Sequence, residues 1–191
     1  LYTAQIEIVQ DGKVIDRNPP VTFGFREVWT EGNKLMLNGH PIRLRLSLNC
    51  GISADSLPFF RKLGFNATYQ QPHPNSWWRD WNSVTRLSKE KLKAFDENGF
   101  AYSAPAPNIY HIREKLINDP EVAAAYKREM NWHMRQYRNH PSILFWTVGM
   151  NAYNPRGAIS PQGMGRKSLE VSTATMPKVI EKARAIGRSI D

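Results

Sequence analysis

Residues 119–148 read DPEVAAAYKREMNWHMRQYRNHPSILFWTV, and the two parts of this stretch follow different periods. Asp119-Pro120 places a capping acid before a proline at the first helical position. Val122, Tyr126, Met130, Met134 and Tyr137 then recur at helical spacing, which predicts an amphipathic helix running to about Arg138. His140-Pro141 ends it. Ile143 to Val148 is a near-continuous apolar run, the pattern of a strand buried on both faces in a parallel sheet.

The same alternation extends outward. Upstream, Ser53 to Leu63 carries Leu57, Phe60 and Leu63 at helical spacing, with Gly64 as the stop. Phe65 to Gln70 reads as a short strand. Ser88 can cap a helix through Asn98, with Leu92 and Phe95 facing in and Gly99 ending it, and Phe100 to Ser103 is the next strand. Downstream, a Gly/Pro-rich loop is expected over 149–175. Met176 to Ser189 should then form a helix with Val179, Ile180, Ala183 and Ile186 on its apolar face. Such βα alternation implies parallel strands joined by right-handed crossovers. An open nucleotide-binding sheet needs a Gly-rich turn after its first strand, and Asn49-Cys50-Gly51-Ile52-Ser53 is not one. The expected class is therefore α/β, a partial (β/α)8 TIM barrel of about four βα units.

Residues 1 to 45 follow a period of two instead. Tyr2 to Val9 alternates polar and apolar, Asp11-Gly12 makes a tight turn, and Lys13 to Asp16 returns. Pro19-Pro20 breaks the pairing, and Val21 to Val28 is another strand. Asn38-Gly39 between Lys34–Leu37 and Pro41–Leu48 is a strong hairpin signal.

Composition excludes several classes. With 41% hydrophobic and 11% aromatic residues the 191-residue chain can close a core, so it is not disordered. Its single cysteine, Cys50, cannot form an intrachain disulfide and is expected to be a buried structural thiol. No stretch approaches the ~20 apolar residues of a membrane span, so no membrane partner is expected. The formal charge is +9, from 26 Lys+Arg and 17 Asp+Glu. The bases are dispersed beside acids, as in Lys89-Glu90-Lys91 and Lys127-Arg128-Glu129, so a solvated surface is expected rather than a nucleic-acid partner.

Several short motifs then carry a resemblance. Phe23-Gly24-Phe25-Arg26 and Leu37-Asn38-Gly39-His40-Pro41-Ile42-Arg43-Leu44 resemble those of family 2 glycoside hydrolases, the β-galactosidase and β-glucuronidase group. The likeness continues through Leu63-Gly64-Phe65-Asn66-Ala67, Phe95-Asp96-Glu97-Asn98-Gly99, Arg138-Asn139-His140-Pro141-Ser142-Ile143 and Trp146. Each motif is weak singly, while the ordered set is strong. The resemblance implies that residues 1–28 are the last strands of an immunoglobulin-like β-sandwich and residues 29–191 the N-terminal half of a TIM barrel. On that reading the chain is a fragment, and the remaining half of the barrel belongs to further polypeptide or another chain. The resemblance implies a carbohydrate partner, no cofactor, and an extracellular or periplasmic location.

Retaining glycosidases need two carboxyls about 5–5.5 Å apart, one as acid/base and one as nucleophile. By resemblance the acid/base is the Glu of an Asn-Glu pair after strand four. Here Asn151 matches the Asn, while Ala152 occupies the Glu position and cannot transfer a proton. Glu170 is the sole carboxylate in the stretch from Tyr153 to Thr175 and hence the local substitute. The nucleophile would lie beyond Asp191. Tyr69 stands where the family has an Arg that supports the carboxylates. Asn49, Tyr69, Gln70, His73, Trp77, Trp146 and Tyr153 are the candidate substrate-binding residues. His73 and Trp77 lie in Gln70-Gln71-Pro72-His73-Pro74-Asn75-Ser76-Trp77-Trp78, where amides can bond hydroxyls and indoles stack on a sugar face. The alternative for that stretch is a packed, proline-stiffened loop. His111 is expected at the surface. His133 and His140 are poorly spaced for a metal pair, so no metal is expected. Asp96 and Glu97 are expected to be solvated.

Three readings follow. The chain is part of a glycoside hydrolase of altered chemistry, a non-catalytic carbohydrate-binding relative, or a basic polyanion-binding module.

Overall fold

Asp11 and Gly12 both take positive φ (49° and 75°), as do Asn38 and Gly39 (48° and 82°). This is the backbone of two-residue turns whose twist matches that of the flanking strands. Each sits in the tight hairpin that its sequence demands. The computed structural model describes residues 1–48, 52–69, 87–107, 109, 112–148 and 166–190.

The first strands are β1 (Tyr2–Ala4), β2 (Glu7–Gln10), β3 (Lys13–Arg17) and β4 (Val21–Phe23). β1 pairs antiparallel with β4, whereas β2 pairs with β3, so the single strand expected over Tyr2–Val9 breaks at Gln5-Ile6 to serve two partners. Arg17 and Glu7 face each other across the second pair and bridge at 2.8 Å. β5 (Val28–Glu31), β6 (Lys34–Leu37) and β7 (His40–Ile42) form an antiparallel meander. Asn38 does more than turn the chain. Its Oδ1 accepts from the Glu27 amide at 2.7 Å and its Nδ2 donates to the Phe25 carbonyl, splinting the approach to β5.

β8 (Leu46–Leu48), α1 (Leu57–Lys62), β9 (Ala67–Tyr69), α2 (Lys89–Asn98), β10 (Ala101–Pro105), α3 (Arg113–Asn118), α4 (Pro120–Tyr137), β11 (Ile143–Thr147) and α5 (Arg166–Arg188) follow. The four strands form one sheet in the order β11-β10-β9-β8, and β9 runs parallel to both neighbours. The fold is α/β, with helices between parallel strands. Asn66 fixes the entry to β9. Its side chain accepts from the Arg45 amide at 2.7 Å and donates to the Arg43 carbonyl at 2.9 Å, while its own carbonyl accepts from Ala101.

The helix ends obey their caps. Ser88 accepts from the Lys91 amide, and Gly99, at φ 60°, closes α2 with Phe100 N–H donating to the Phe95 carbonyl. Asp119 ends α3 through its amide and opens α4 by accepting from the amides of Glu121 and Val122. α1 is shorter than expected because Ser53 and Ser56 bond each other's amides through their hydroxyls, a local turn that replaces its first helical turn. The loop expected over 149–175 is corrected at its end: α5 begins at Arg166 and carries Pro177 inside it. Burial of Met176, Val179, Ala183 and Ile186 at helical spacing outweighs the local cost of that proline.

The chain divides into two compact units. The first holds Leu1–Tyr69, Leu87–Ser103 and Tyr137–Phe145, and the second includes Ala104–Gln136 and the chain from Trp146 onward. In the first, Leu57, Ala67, Leu92, Phe95, Phe100, Tyr102 and Ile143 are buried, with Phe95 against Phe100 and Tyr102 at centroid distances of 5.3 and 5.4 Å. Gly24 sits against Pro141 in this unit, where an added Cβ would lie 2.6 Å from the ring Cγ. Gly24→Ala should therefore destabilise the fold by about 1–3 kcal/mol, read by urea denaturation; an unchanged midpoint would show that the ring yields. In the second unit, Ile109, Ile112, Leu116, Tyr126, Met130, Met176, Val179 and Ala183 form one core.

Candidate functional site

In parallel βα sheets, binding groups gather at the C-terminal ends of the strands. Leu48 and Tyr69, the last residues of β8 and β9, lie in register with Ser103 in the middle of β10. One residue before them, Thr68 is fully buried, and its hydroxyl donates to the Ser47 carbonyl at 2.9 Å. Tyr69 is half-buried at the end of β9. Of the candidate residues, Tyr69 and Trp146 are described. Asn49, Gln70, His73, Trp77, Asn151, Ala152 and Tyr153, and the side chain of Glu170, lie outside the described residues, as do Cys50 and His111.

In the second unit, α4 braces the backbone that follows β10. The His133 Nε2–H donates to the Pro105 carbonyl at 2.6 Å, and the Tyr126 hydroxyl donates to the Pro107 carbonyl at 3.0 Å. Ala106 and Ile109 amides donate to Thr147 and Val148 carbonyls, which ties the same segment to the end of β11. Trp146 stands edge-on to the His133 ring at 5.5 Å. Burial depresses the His133 pKa to about 4 against the opposing bond to Pro105, and burial raises that of Tyr126. Both are neutral hydrogen-bonding braces. His133 therefore acts through its bond to a strand-end carbonyl. It continues the spacing of Tyr126, Met130 and Tyr137, and that stripe is the signal by which its burial is legible.

The first unit holds a second polar cluster. Asp96, at the end of α2, accepts from the Ser142 amide at 3.0 Å and from His140 Nδ1–H at 2.6 Å. Its side chain is 7% exposed, so the expectation of a solvated acid is wrong here; Glu97 beside it is exposed and faces Lys93. Arg26 donates to the Arg138 carbonyl, and burial lowers its pKa against the opposing charge of Asp96. A cavity of about 170 Å³ opens among Phe25, Arg26, Asp96, Phe100, Pro141 and Ser142. Placed before β10 and β11, this cluster binds α2, the start of β11 and the Arg26 segment together.

Among the described residues, no group of three His, Cys, Asp or Glu side chains could hold a metal ion, and no helix is long and apolar enough to cross a membrane.

Residues 86–173 match the family model of the glycosyl hydrolases family 2 TIM barrel domain. The matched segment contains α2, β10, α3, α4 and β11, and so both polar clusters' helices. Solved structures agree in fold. A β-glucuronidase from Ruminococcus gnavus in complex with C6-substituted uronic isofagomine superposes with a TM-score of 0.63 at 17% identity, covering 100% of this chain and 30% of that one. The same enzyme in complex with D-glucaro 1,5-lactone gives 0.63 at 18%, with the same coverage. Bacteroides uniformis β-glucuronidase 2, covalently bound to cyclophellitol-6-carboxylate aziridine, gives 0.63 at 15%, covering 99% of this chain and 22% of that one. The chain thus spans less than a third of the length of these structures. The solved structures share this chain's fold, and residues 86–173 carry the family 2 barrel match.

Proposed function

We propose that this chain is part of a carbohydrate-active protein of the family 2 glycoside hydrolase type, acting on O-glycosidic bonds with an altered acid/base step. The observation that carries the reading is the sheet β8-β9-β10-β11 with its intervening helices, of which α2, β10, α3, α4 and β11 lie in the segment, residues 86–173, that the family 2 barrel model matches. Residues 29–191 would be the N-terminal half of the barrel and residues 1–28 the end of an immunoglobulin-like sandwich. Ile6, Ile8, Val9, Ile15 and Phe25 in the first segment are each more than half exposed, as the face of a sandwich strand is without its opposite sheet. The sugar-binding set would be Asn49, Tyr69, Gln70, His73, Trp77, Trp146 and Tyr153.

Ala152 has no proton to give, so the leaving group must depart without general acid help or with help from Glu170. The test measures turnover of aryl β-glycosides by the full-length gene product across leaving groups. Dinitrophenyl glycosides, which need no proton donor, should turn over, while alkyl glycosides should be slower by about 10²–10⁴-fold. Ala152→Glu should shrink that gap, and Glu170→Gln should widen it if Glu170 is the substitute. No turnover of even the activated glycoside, with sugar binding retained, favours the second reading: a carbohydrate-binding relative that lost its chemistry. Ala152 is the residue that recommends it.

A further inference from the structure

The outer side of α4 carries a concentration of positive charge that neither the strand ends nor the core requires. Lys127, Arg128, Asn131 and Arg135, with Ala124, line a groove of about 510 Å³ that is closed by Ser189 and Ile190 after α5. Lys127, Asn131 and Arg135 are four apart and form one row along the helix. Arg128, Trp132 and Arg135 form the adjacent row. Trp132 does not line the groove itself; it is 47% exposed, and helical spacing puts it on the same side of α4 as Arg128 and Arg135, four residues before and three after it. Among the described residues, no carboxylate lines the groove. Of the acids on these two helices' described side chains, Glu121 lies nearly three turns before Asn131, Glu129 is half-buried, and Glu181 is bridged by Arg184 at 3.5 Å.

Cations without internal partners attract an anionic ligand, and a groove concentrates their field. The neutral groups narrow its chemistry. A single nucleic-acid strand is held on successive aromatic rings, and this surface offers one. One indole suits the C–H face of one pyranose ring, and the Asn131 carboxamide can pair with hydroxyls while Lys127, Arg128 and Arg135 take carboxylates. We propose that this face of α4 binds a linear acidic polysaccharide, a chain of carboxylate-bearing sugars, through Lys127, Arg128, Arg135 and Trp132. The site would hold polymer whether or not the strand ends carry out hydrolysis, so it stands independently of the proposed activity.

The test is titration of the chain with polygalacturonate at rising salt, with a neutral glucan and a single-stranded DNA oligomer as alternative probes. Binding to polygalacturonate should weaken about tenfold or more across a tenfold rise in salt. The triple variant Lys127→Gln/Arg128→Gln/Arg135→Gln should lose about tenfold at low salt, and Trp132→Ala about fivefold. A control triple, Lys13→Gln/Lys34→Gln/Lys62→Gln, removes the same charge from exposed positions elsewhere and should stay within about twofold. Circular dichroism confirms that each variant is folded. Equal losses in both triples would make the binding a matter of net charge and overturn the proposal. So would an unaffected Trp132→Ala, or DNA binding as tightly as the uronate polymer.

Discussion

Asp96→Ala should cost about 3 kcal/mol of stability, the largest loss expected from any single substitution in the first unit. The carboxylate is buried and receives the Ser142 amide and His140 Nδ1–H at 3.0 and 2.6 Å. Alanine removes both acceptors at once. The Ser142 amide is then a donor at the start of β11 without its acceptor, which alone costs about 1–3 kcal/mol. Arg26 in turn keeps its desolvated cation and loses the negative charge that offsets the burial. For a chain of this length the loss corresponds to a fall in Tm of roughly 6–12 °C. Asp96→Asn isolates the charge: it can still accept from Ser142, so it should lose less than alanine but more than His140→Ala, whose ring is 26% exposed. Urea denaturation of the three variants gives the order. A loss below about 1 kcal/mol for Asp96→Ala would mean that water replaces the carboxylate and that the cluster is ornamental.

That cluster marks a boundary between what the chain's pattern discloses and what it hides. Elements set by neighbours in sequence are legible. Asn38-Gly39 and Asp11-Gly12 make their turns because their own φ angles decide the hairpin. Ser88 and Gly99 delimit α2, and Asp119 opens α4, because a cap acts within one helical turn. The parallel order β8 to β11 follows from alternation of periods. Asp96 is different. Its role depends on Ser142 and His140, more than forty residues away, and an acid at a helix end carries no local mark of that meeting. Pro177 misleads in the opposite sense, since a local helix breaker is overridden by burial of Met176 and Val179 around it. α3 was hidden because Arg113–Asn118 is too short to show a period. At the candidate site, Tyr69 and Trp146 fall where strand ends were expected, at the close of β9 and within β11. The bonds by which His133 and Tyr126 brace the Pro105 and Pro107 carbonyls were not readable.

His133 should make the stability of the second unit fall between pH 6.5 and about 4. Burial lowers its pKa from 6.5 to about 4, and the bond to the Pro105 carbonyl, which favours the protonated ring, recovers only part of that. The unfolded chain therefore binds a proton in that window and the folded one does not. The sign follows: stability is full above pH 6.5 and declines as pH falls through the window. It reaches a plateau once the folded ring also protonates, near pH 4. The displacement corresponds to roughly 3 kcal/mol. His133→Gln supplies a neutral donor for Pro105 that does not titrate. The variant is expected to be less stable at pH 7, because the ring's contact with Trp146 is lost, yet flat across the window once the carboxylates common to both proteins are subtracted. Denaturation midpoints at pH 7, 5.5 and 4.5 for the two proteins measure the difference. If both lose the same stability, the ring is protonated in the folded protein and the brace is a charged one. If the decline belongs to His133 alone, acid loosens the backbone after β10 first, because Pro105 and the Ala106 amide hold that strand end to α4 and β11. Hydrogen exchange at the Ala106 and Ile109 amides should then quicken below pH 6.5 ahead of global unfolding, a consequence of a structural histidine.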